Sequence, residues 1–136
     1  MALAEKQQTL IDDYSIIEDP MERFAAIVAL GRKNQDFPDD QRLEENLVQG
    51  CTSQVWLIGK TDAENCVHFQ IDADAPGIKG VAVLMCGMYS GEKADEIIAT
   101  EPDVIEALKI DRNLTPTRLN GLRHIRQRIV EIASES

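Results

Sequence analysis

The chain has 136 residues, three cysteines and a net charge of −10, from 14 basic and 24 acidic side chains. This length fits a single domain, residues 1–136, that can bury a core without covalent staples. The acidic excess repels phosphate backbones, so nucleic acid is not expected as a partner. No signal-like leader and no apolar run near the roughly 20 residues of a membrane span is evident. An odd number of cysteines does not fit a disulfide framework, so the expected location is the cytoplasm, where thiols stay free.

Two helices are predicted in the first quarter of the chain. The first carries a stripe at steps of three and four residues that is apolar except at one glutamine: Leu3, Gln7, Leu10, Ile11 and Tyr14. Asp19 is placed to cap the second helix and Pro20 to occupy its first position. The second helix has one face of apolar and small residues: Phe24, Ile27, Val28 and Gly31. Residues 35–46 are polar and acidic, which predicts a loop and a possible surface for a partner.

Three β segments are predicted next. Residues 47–49 form a short strand that leads into Gly50 and Cys51. Residues 55–58 are rich in β-forming side chains, which favours a second strand. Residues 66–71 alternate between apolar and polar side chains, the pattern of a half-buried strand. Together they predict a small antiparallel sheet of about three strands, with Cys51 at the tip between the first two.

The remaining elements are helical. Residues 78–89 are apolar on nearly every side, which indicates a buried helix. Residues 93–99 and 102–108 predict two short helices, and Thr115 and Pro116 form the start of the last one. That helix carries an apolar stripe: Leu119, Leu122, Ile125, Ile129 and Ile132. Strands in the middle and helices at both ends predict an α+β fold.

Cys51 is the main candidate for chemistry. It follows Gly50 and precedes Thr52 and Ser53, so the chain presents it at a turn, where another molecule can reach it. Backbone N–H groups of a turn, or a nearby arginine, would favour its thiolate. A thiolate can attack a sulfur–sulfur bond and take over the outer sulfur as a persulfide. From the residues alone, a structural turn cysteine is an equal alternative.

Other chemistry has little support in the sequence. A cysteine hydrolase needs a histidine base, but His68 is predicted in the middle of a strand and His124 on the solvated face of the last helix. Cys66 and Cys86 are expected to fill the core. The spacings typical of metal ligands and glycine-rich phosphate loops are missing, so no metal or cofactor is predicted.

The positive charge is concentrated near the end of the chain. Six of the 14 basic residues fall within residues 109–128, with Asp111 as the one acid there. The basic residues are Lys109, Arg112, Arg118, Arg123, Arg126 and Arg128. Such a run is either a solvated helix face or a local positive field near an anionic group.

Three separated motifs resemble the SufE family of sulfur acceptors. Residues 48–57 (VQGCTSQVWL) resemble its active-site segment. Residues 72–75 (DADA), followed by 78–80 (IKG), are similar to its aspartate-containing turn and buried helix. Residues 114–118 (LTPTR) and 121–122 (GL) are similar to the start of its last helix. The order is the same along nearly the whole chain, and the departures are modest: Thr52, Gly77 and Thr117.

The resemblance implies a function. The fold would be the α+β fold shared with IscU-type scaffolds. Cys51 would take sulfur from a pyridoxal-phosphate-dependent cysteine desulfurase of the SufS type, stimulate that enzyme, and pass the sulfur to an iron–sulfur scaffold complex of the SufBCD type. The supporting residues would be Gly50, Gln54, Asp74 and Arg118. The chain itself would be no enzyme, and we expect a monomer or a weak homodimer.

Two other functions are open at this point. An iron–sulfur or metal-binding scaffold of the IscU type needs several converging ligands, and the sequence offers one well-placed cysteine. A pure interaction module would dock a partner through the acidic loop 35–46, with Cys51 incidental to it.

Overall fold

The computed structural model describes residues 2–135, which form helices around a three-stranded sheet. In chain order the elements are α1 (Leu3–Ser15), α2 (Pro20–Lys33), β1 (Val55–Thr61), β2 (Cys66–Ala73), α3 (Pro76–Tyr89), β3 (Glu92–Lys93), α4 (Ala94–Ala99), α5 (Val104–Ala107) and α6 (Pro116–Glu135). Short 3-10 turns lie at residues 39–41, 44–46 and 110–112. The predicted α+β class is confirmed. Among residues 2–135, none of the helices combines the length and the apolar character that crossing a bilayer requires.

The sheet is antiparallel, with the strands in the order β1-β2-β3. Val55 pairs with Ala73 at one end of the β1–β2 ladder, and Thr61 pairs with Val67 at the other end. β3 adds only two residues, which pair with the start of β2. The sequence did not predict β3, because two residues are too few to show a strand pattern.

The prediction of a strand at residues 47–49 is wrong. Leu47 forms an isolated bridge with Trp56, and the Val48 N–H donates to the Val55 carbonyl at 2.8 Å. Pairing stops there because the backbone turns at Gly50, whose φ is 89°. A left-handed φ of this kind suits glycine, since it has no Cβ. The segment therefore leads into a loop rather than into a ladder.

The core lies between the sheet and α3. The alternation predicted for β2 is confirmed, because Val67, Phe69 and Ile71 are buried while His68 is exposed. The helix predicted at residues 78–89 is also confirmed as the buried one. Its side chains with no exposed surface are Val81, Ala82, Met85, Met88 and Tyr89.

α2 packs on the outer side of α3 at a pair of glycines. A Cβ placed on Gly31 would lie 2.7 Å from the Gly80 Cα, and a Cβ on Gly80 would lie 2.6 Å from the Ile27 carbonyl oxygen. The two helices therefore meet backbone to backbone. The predicted helix start is confirmed too, because the Asp19 carboxylate accepts a hydrogen bond from the Met21 N–H at 2.9 Å.

α6 begins as predicted and runs beside β1 and α4. The Thr115 hydroxyl accepts a hydrogen bond from the Arg118 N–H at 3.3 Å, and Pro116 is the first helical residue. The basic residues of this region do not act as one surface. Arg126 is buried over the Tyr89 ring and donates to backbone carbonyls, while Arg128 pairs with Glu131.

Candidate functional site

Cys51 lies on a short loop whose two ends are fixed to the sheet. At one end the Val48 N–H donates to the Val55 carbonyl. At the other end the Asp74 carboxylate accepts from the Gln54 N–H at 3.1 Å, and the Asp74 N–H donates to the Gln54 carbonyl at 3.1 Å. Between these anchors, residues 49–53 protrude toward α6. We call this segment the Cys51 loop.

The Cys51 thiol is half-buried against α6. Its Sγ donates to the Gly121 carbonyl at 3.5 Å, and a Cβ on Gly121 would lie 3.6 Å from the sulfur. A cavity of about 10 Å³ adjoins it, which is room for about one atom the size of a water. The residues around the cavity are Thr52, Ser53, Val55, Ile78, Thr117, Arg118 and Gly121. The thiol is therefore covered, with a space for one small added atom.

Burial also controls the protonation of the thiol. It raises the pKa of Cys51 above the ordinary value of a free cysteine, because the anion is poorly solvated there. The hydrogen bond to Gly121 favours the same, protonated form, since the thiol is its donor. The expectation that the turn favours the thiolate is therefore wrong for the closed loop.

Arg118 lies where the sequence analysis predicted a supporting residue. It occupies the first turn of α6 and lines the cavity beside Cys51. Its Nη1 would lie 3.4 Å from a Cβ on Gly77, an ordinary contact distance, so the guanidinium lies beside the start of α3. The positive end of the α6 dipole lies at the same place. Arg118 therefore places a positive charge beside a thiol whose burial opposes ionisation.

The structure places the other predicted residues in different positions. Gly50 precedes Cys51 on the loop, but Gln54 and Asp74 are both exposed and lie away from the cavity lining. They anchor the end of the loop through their paired hydrogen bonds instead. The two residues therefore contact each other rather than the thiol.

The sequence analysis missed two residues of α6. Gly121 accepts the hydrogen bond from the thiol. His124 was predicted on the solvated face, but its ring is half-buried and lies against Gly50. A signal was available, because residues three apart share a helix face and Gly121 belongs to the third family-like motif. The spacing alone does not show that this face meets the loop.

The other cysteines and His68 lie away from the loop. Cys86 is buried in α3, as predicted, and burial raises the pKa of its thiol strongly. Cys66 is half-buried at the start of β2. His68 is exposed and pairs with Asp62 at 2.7 Å. Within residues 2–135, no three His, Cys, Asp or Glu side chains are placed to share a metal ion.

Comparisons with known proteins agree with the motifs. A family model described as SufE, an Fe-S metabolism associated domain, matches residues 8–133. An uncharacterized SufE-like protein of Rhizobium etli is 35% identical over 128 residues, which are 91% of this chain and 86% of that relative. SufE-like protein 1 of Arabidopsis thaliana, chloroplastic/mitochondrial by name, is 30% identical over 120 residues, which are 88% of this chain and 32% of that protein.

A solved structure shows the same fold. The solution structure of a hypothetical protein from Thermus thermophilus superimposes with a TM-score of 0.77 at 18% identity, over 96% of this chain and 94% of that one. The family model covers the Cys51 loop and every residue that lines its cavity. The chain therefore belongs to the SufE family, whose domain is associated with Fe–S metabolism.

Proposed function

We propose that this chain is a sulfur carrier that takes persulfide sulfur from a pyridoxal-phosphate-dependent cysteine desulfurase onto Cys51. It then passes the sulfur to an iron–sulfur scaffold complex. The observation that carries the proposal is the placement of the thiol: it is covered, has space for one added atom, and lies on a loop that hydrogen-bonds to the sheet at its two ends. Family membership supports the link to Fe–S metabolism.

The uptake step balances without an external oxidant or reductant. The Cys51 thiolate attacks the outer sulfur of the desulfurase persulfide. The sulfur–sulfur bond of that persulfide breaks, and the desulfurase cysteine leaves as a thiolate. A new sulfur–sulfur bond forms on Cys51, whose thiol proton has gone to solvent. Delivery repeats the exchange, with a thiolate of the scaffold complex as the attacking group.

Uptake requires the Cys51 loop to move. A desulfurase cysteine must approach in line with the sulfur–sulfur bond, and α6 covers the thiol when the loop is closed. We expect residues 49–53 to swing away from Gly121 for uptake and to return afterwards. On return, the added sulfur would occupy the cavity, where Arg118 would stabilise a persulfide anion.

The same cycle explains how the chain would stimulate its partner without being an enzyme. Removing the outer sulfur regenerates the desulfurase cysteine, so the next turnover can begin. The unit that performs this role would be one domain, residues 1–136, in the cytoplasm. We expect it to act as a monomer or a weak homodimer.

Mass spectrometry tests the proposal directly. The chain is incubated with a cysteine desulfurase and cysteine, and peptides are mapped without reductant. We expect the mass of one sulfur atom to be added at Cys51 and not at Cys66. Cys51→Ser should abolish sulfur relay, while the matched variant Cys66→Ser should keep it. Undiminished relay by Cys51→Ser would refute the proposal.

A further inference from the structure

We infer that His124 is a positioning residue that holds the Cys51 loop closed. The exposure of Cys51 can be measured without any sulfur donor, so the positioning role of His124 can be tested independently of the proposed function. The consequence for sulfur transfer rests on the proposed function. The argument begins with the contacts that seat the loop on α6.

The loop meets α6 between its anchors at Gly50 and at Cys51. One contact is the weak hydrogen bond from the Cys51 Sγ to the Gly121 carbonyl, at 3.5 Å. The other joins Gly50 to the ring of His124. A thiol is a weak donor, so the first contact contributes little to holding the loop. Cys51 also packs against the hydrophobic core, and the contact between Gly50 and His124 adds to this packing.

The imidazole lies in the space that a side chain at residue 50 would fill. A Cβ placed on Gly50 would lie 2.6 Å from Cδ2, Cε1 and Nε2 of His124. The Gly50 φ of 89° turns the missing side chain toward α6. The Asn120 Nδ2 lies 3.4 Å from the His124 Nε2, one helical turn earlier, and helps to orient the ring. The ring of His124 therefore packs directly against Gly50, the residue before Cys51.

The contact can be released without disturbing α6. An open cleft of about 480 Å³ has both Gly50 and His124 in its lining. The imidazole can rotate into this cleft about its own side-chain bonds, which frees the Gly50 Cα. Because Cys51 is joined to Gly50 by one peptide bond, losing the contact at Gly50 leaves the loop tip held to α6 mainly through Cys51. His124 thus controls how often the thiol is exposed.

The test compares the rates at which iodoacetamide labels Cys51 in four proteins, resolved by peptide mapping. These are the wild type, His124→Ala, His124→Phe and His68→Ala. We expect His124→Ala to raise the Cys51 rate about fivefold or more, the effect of losing one modest contact in a two-state equilibrium. His124→Phe keeps a flat ring over Gly50, so its rate should stay near that of the wild type.

His68→Ala is the matched control. It removes the other histidine of the chain, which pairs with Lys60 in the sheet register. That position lies roughly 16 Å along the strands from the Val55 end, at about 3.3 Å per residue. Its Cys51 rate should be that of the wild type. Cys86 is buried in α3, so its labelling rate reports global loosening and should be the same in all four proteins.

Several outcomes would overturn the inference. These are an unchanged Cys51 rate in His124→Ala, a rise that the buried Cys86 shares, and fast labelling of His124→Phe. The proposed function fails separately. If wild-type Cys51 takes up no sulfur from a desulfurase while His124→Ala still labels faster, the positioning role stands alone. If uptake occurs and the labelling rates are equal, the carrier function stands without it.

Discussion

Replacing Gly50 with alanine tests how firmly the Cys51 loop is held. The residue has a φ of 89°, a left-handed conformation that costs an L residue about 1–2 kcal/mol. The new Cβ would also lie 2.6 Å from three ring atoms of His124, which is closer than carbon atoms pack. Both penalties apply only while the loop is seated on α6.

The strain should open the loop rather than unfold the protein. The anchors at Val48–Val55 and Gln54–Asp74 lie on either side of the substituted position and keep their hydrogen bonds. A penalty of about 1–2 kcal/mol on the closed state shifts its equilibrium with the open state by about 5- to 30-fold. We expect the rate of Cys51 labelling to rise by this factor. The free energy of unfolding should fall by at most the same penalty.

The assay is iodoacetamide labelling with peptide mapping, combined with urea unfolding of the same variants. Gly87→Ala is the matched control, because a Cβ there has no atom within 4 Å. It should leave the Cys51 rate unchanged. The reasoning is refuted if Gly50→Ala labels at the wild-type rate and loses the full penalty of about 1–2 kcal/mol in stability, since the strain would then be borne by the fold.

Two further predictions follow from burial and packing. Because burial raises the pKa of Cys51, the closed loop is favoured below the pKa of the open thiol and lost as the pH rises through the closed-loop pKa. The midpoint of labelling against pH should therefore lie higher in the wild type than in a short cysteine peptide, and Gly50→Ala should lower it; equal midpoints would contradict this. In α3, Gly87→Ala should stabilise the protein by about 1 kcal/mol through helix propensity. Gly80→Ala should destabilise it by about 1–3 kcal/mol, because its Cβ would meet the backbone of Ile27 and Val28. The urea concentrations at the midpoint of unfolding measure both effects. If Gly80→Ala and Gly87→Ala shifted this midpoint equally, that would count against the close contact between α2 and α3.

Local signals in the sequence were enough for most of the secondary structure. Helical periodicity predicted α1, α2 and α6, because one buried face per element leaves a stripe in the sequence. A run that is apolar on nearly every side predicted α3 as a buried helix. Asp19 and Thr115 showed where two helices begin, since a cap acts on backbone groups two or three residues away. Cys51 was found for the same reason, because its turn is made by its neighbours.

The family-like motifs added Arg118, which the structure brings to the cavity beside Cys51. They also added Gln54 and Asp74, whose direct contact is with each other. A motif match does not show what each of its residues contacts. It therefore cannot distinguish a residue beside the thiol from a residue that anchors the loop. Only the hydrogen bonds of the folded chain separate the two roles.

The sequence by itself determined most of the helices, the two long strands and the α+β class, and it singled out Cys51 as a candidate. All of these depend on residues close together along the chain. The tertiary structure decided the rest: the short pairing of β3, the contact of His124 with Gly50 and the raised pKa of Cys51. Each of these depends on groups far apart in sequence, such as the thiol and the Gly121 carbonyl, which are 70 residues apart. Burial and close approach are properties of packed elements, and no local pattern encodes the distance between two of them.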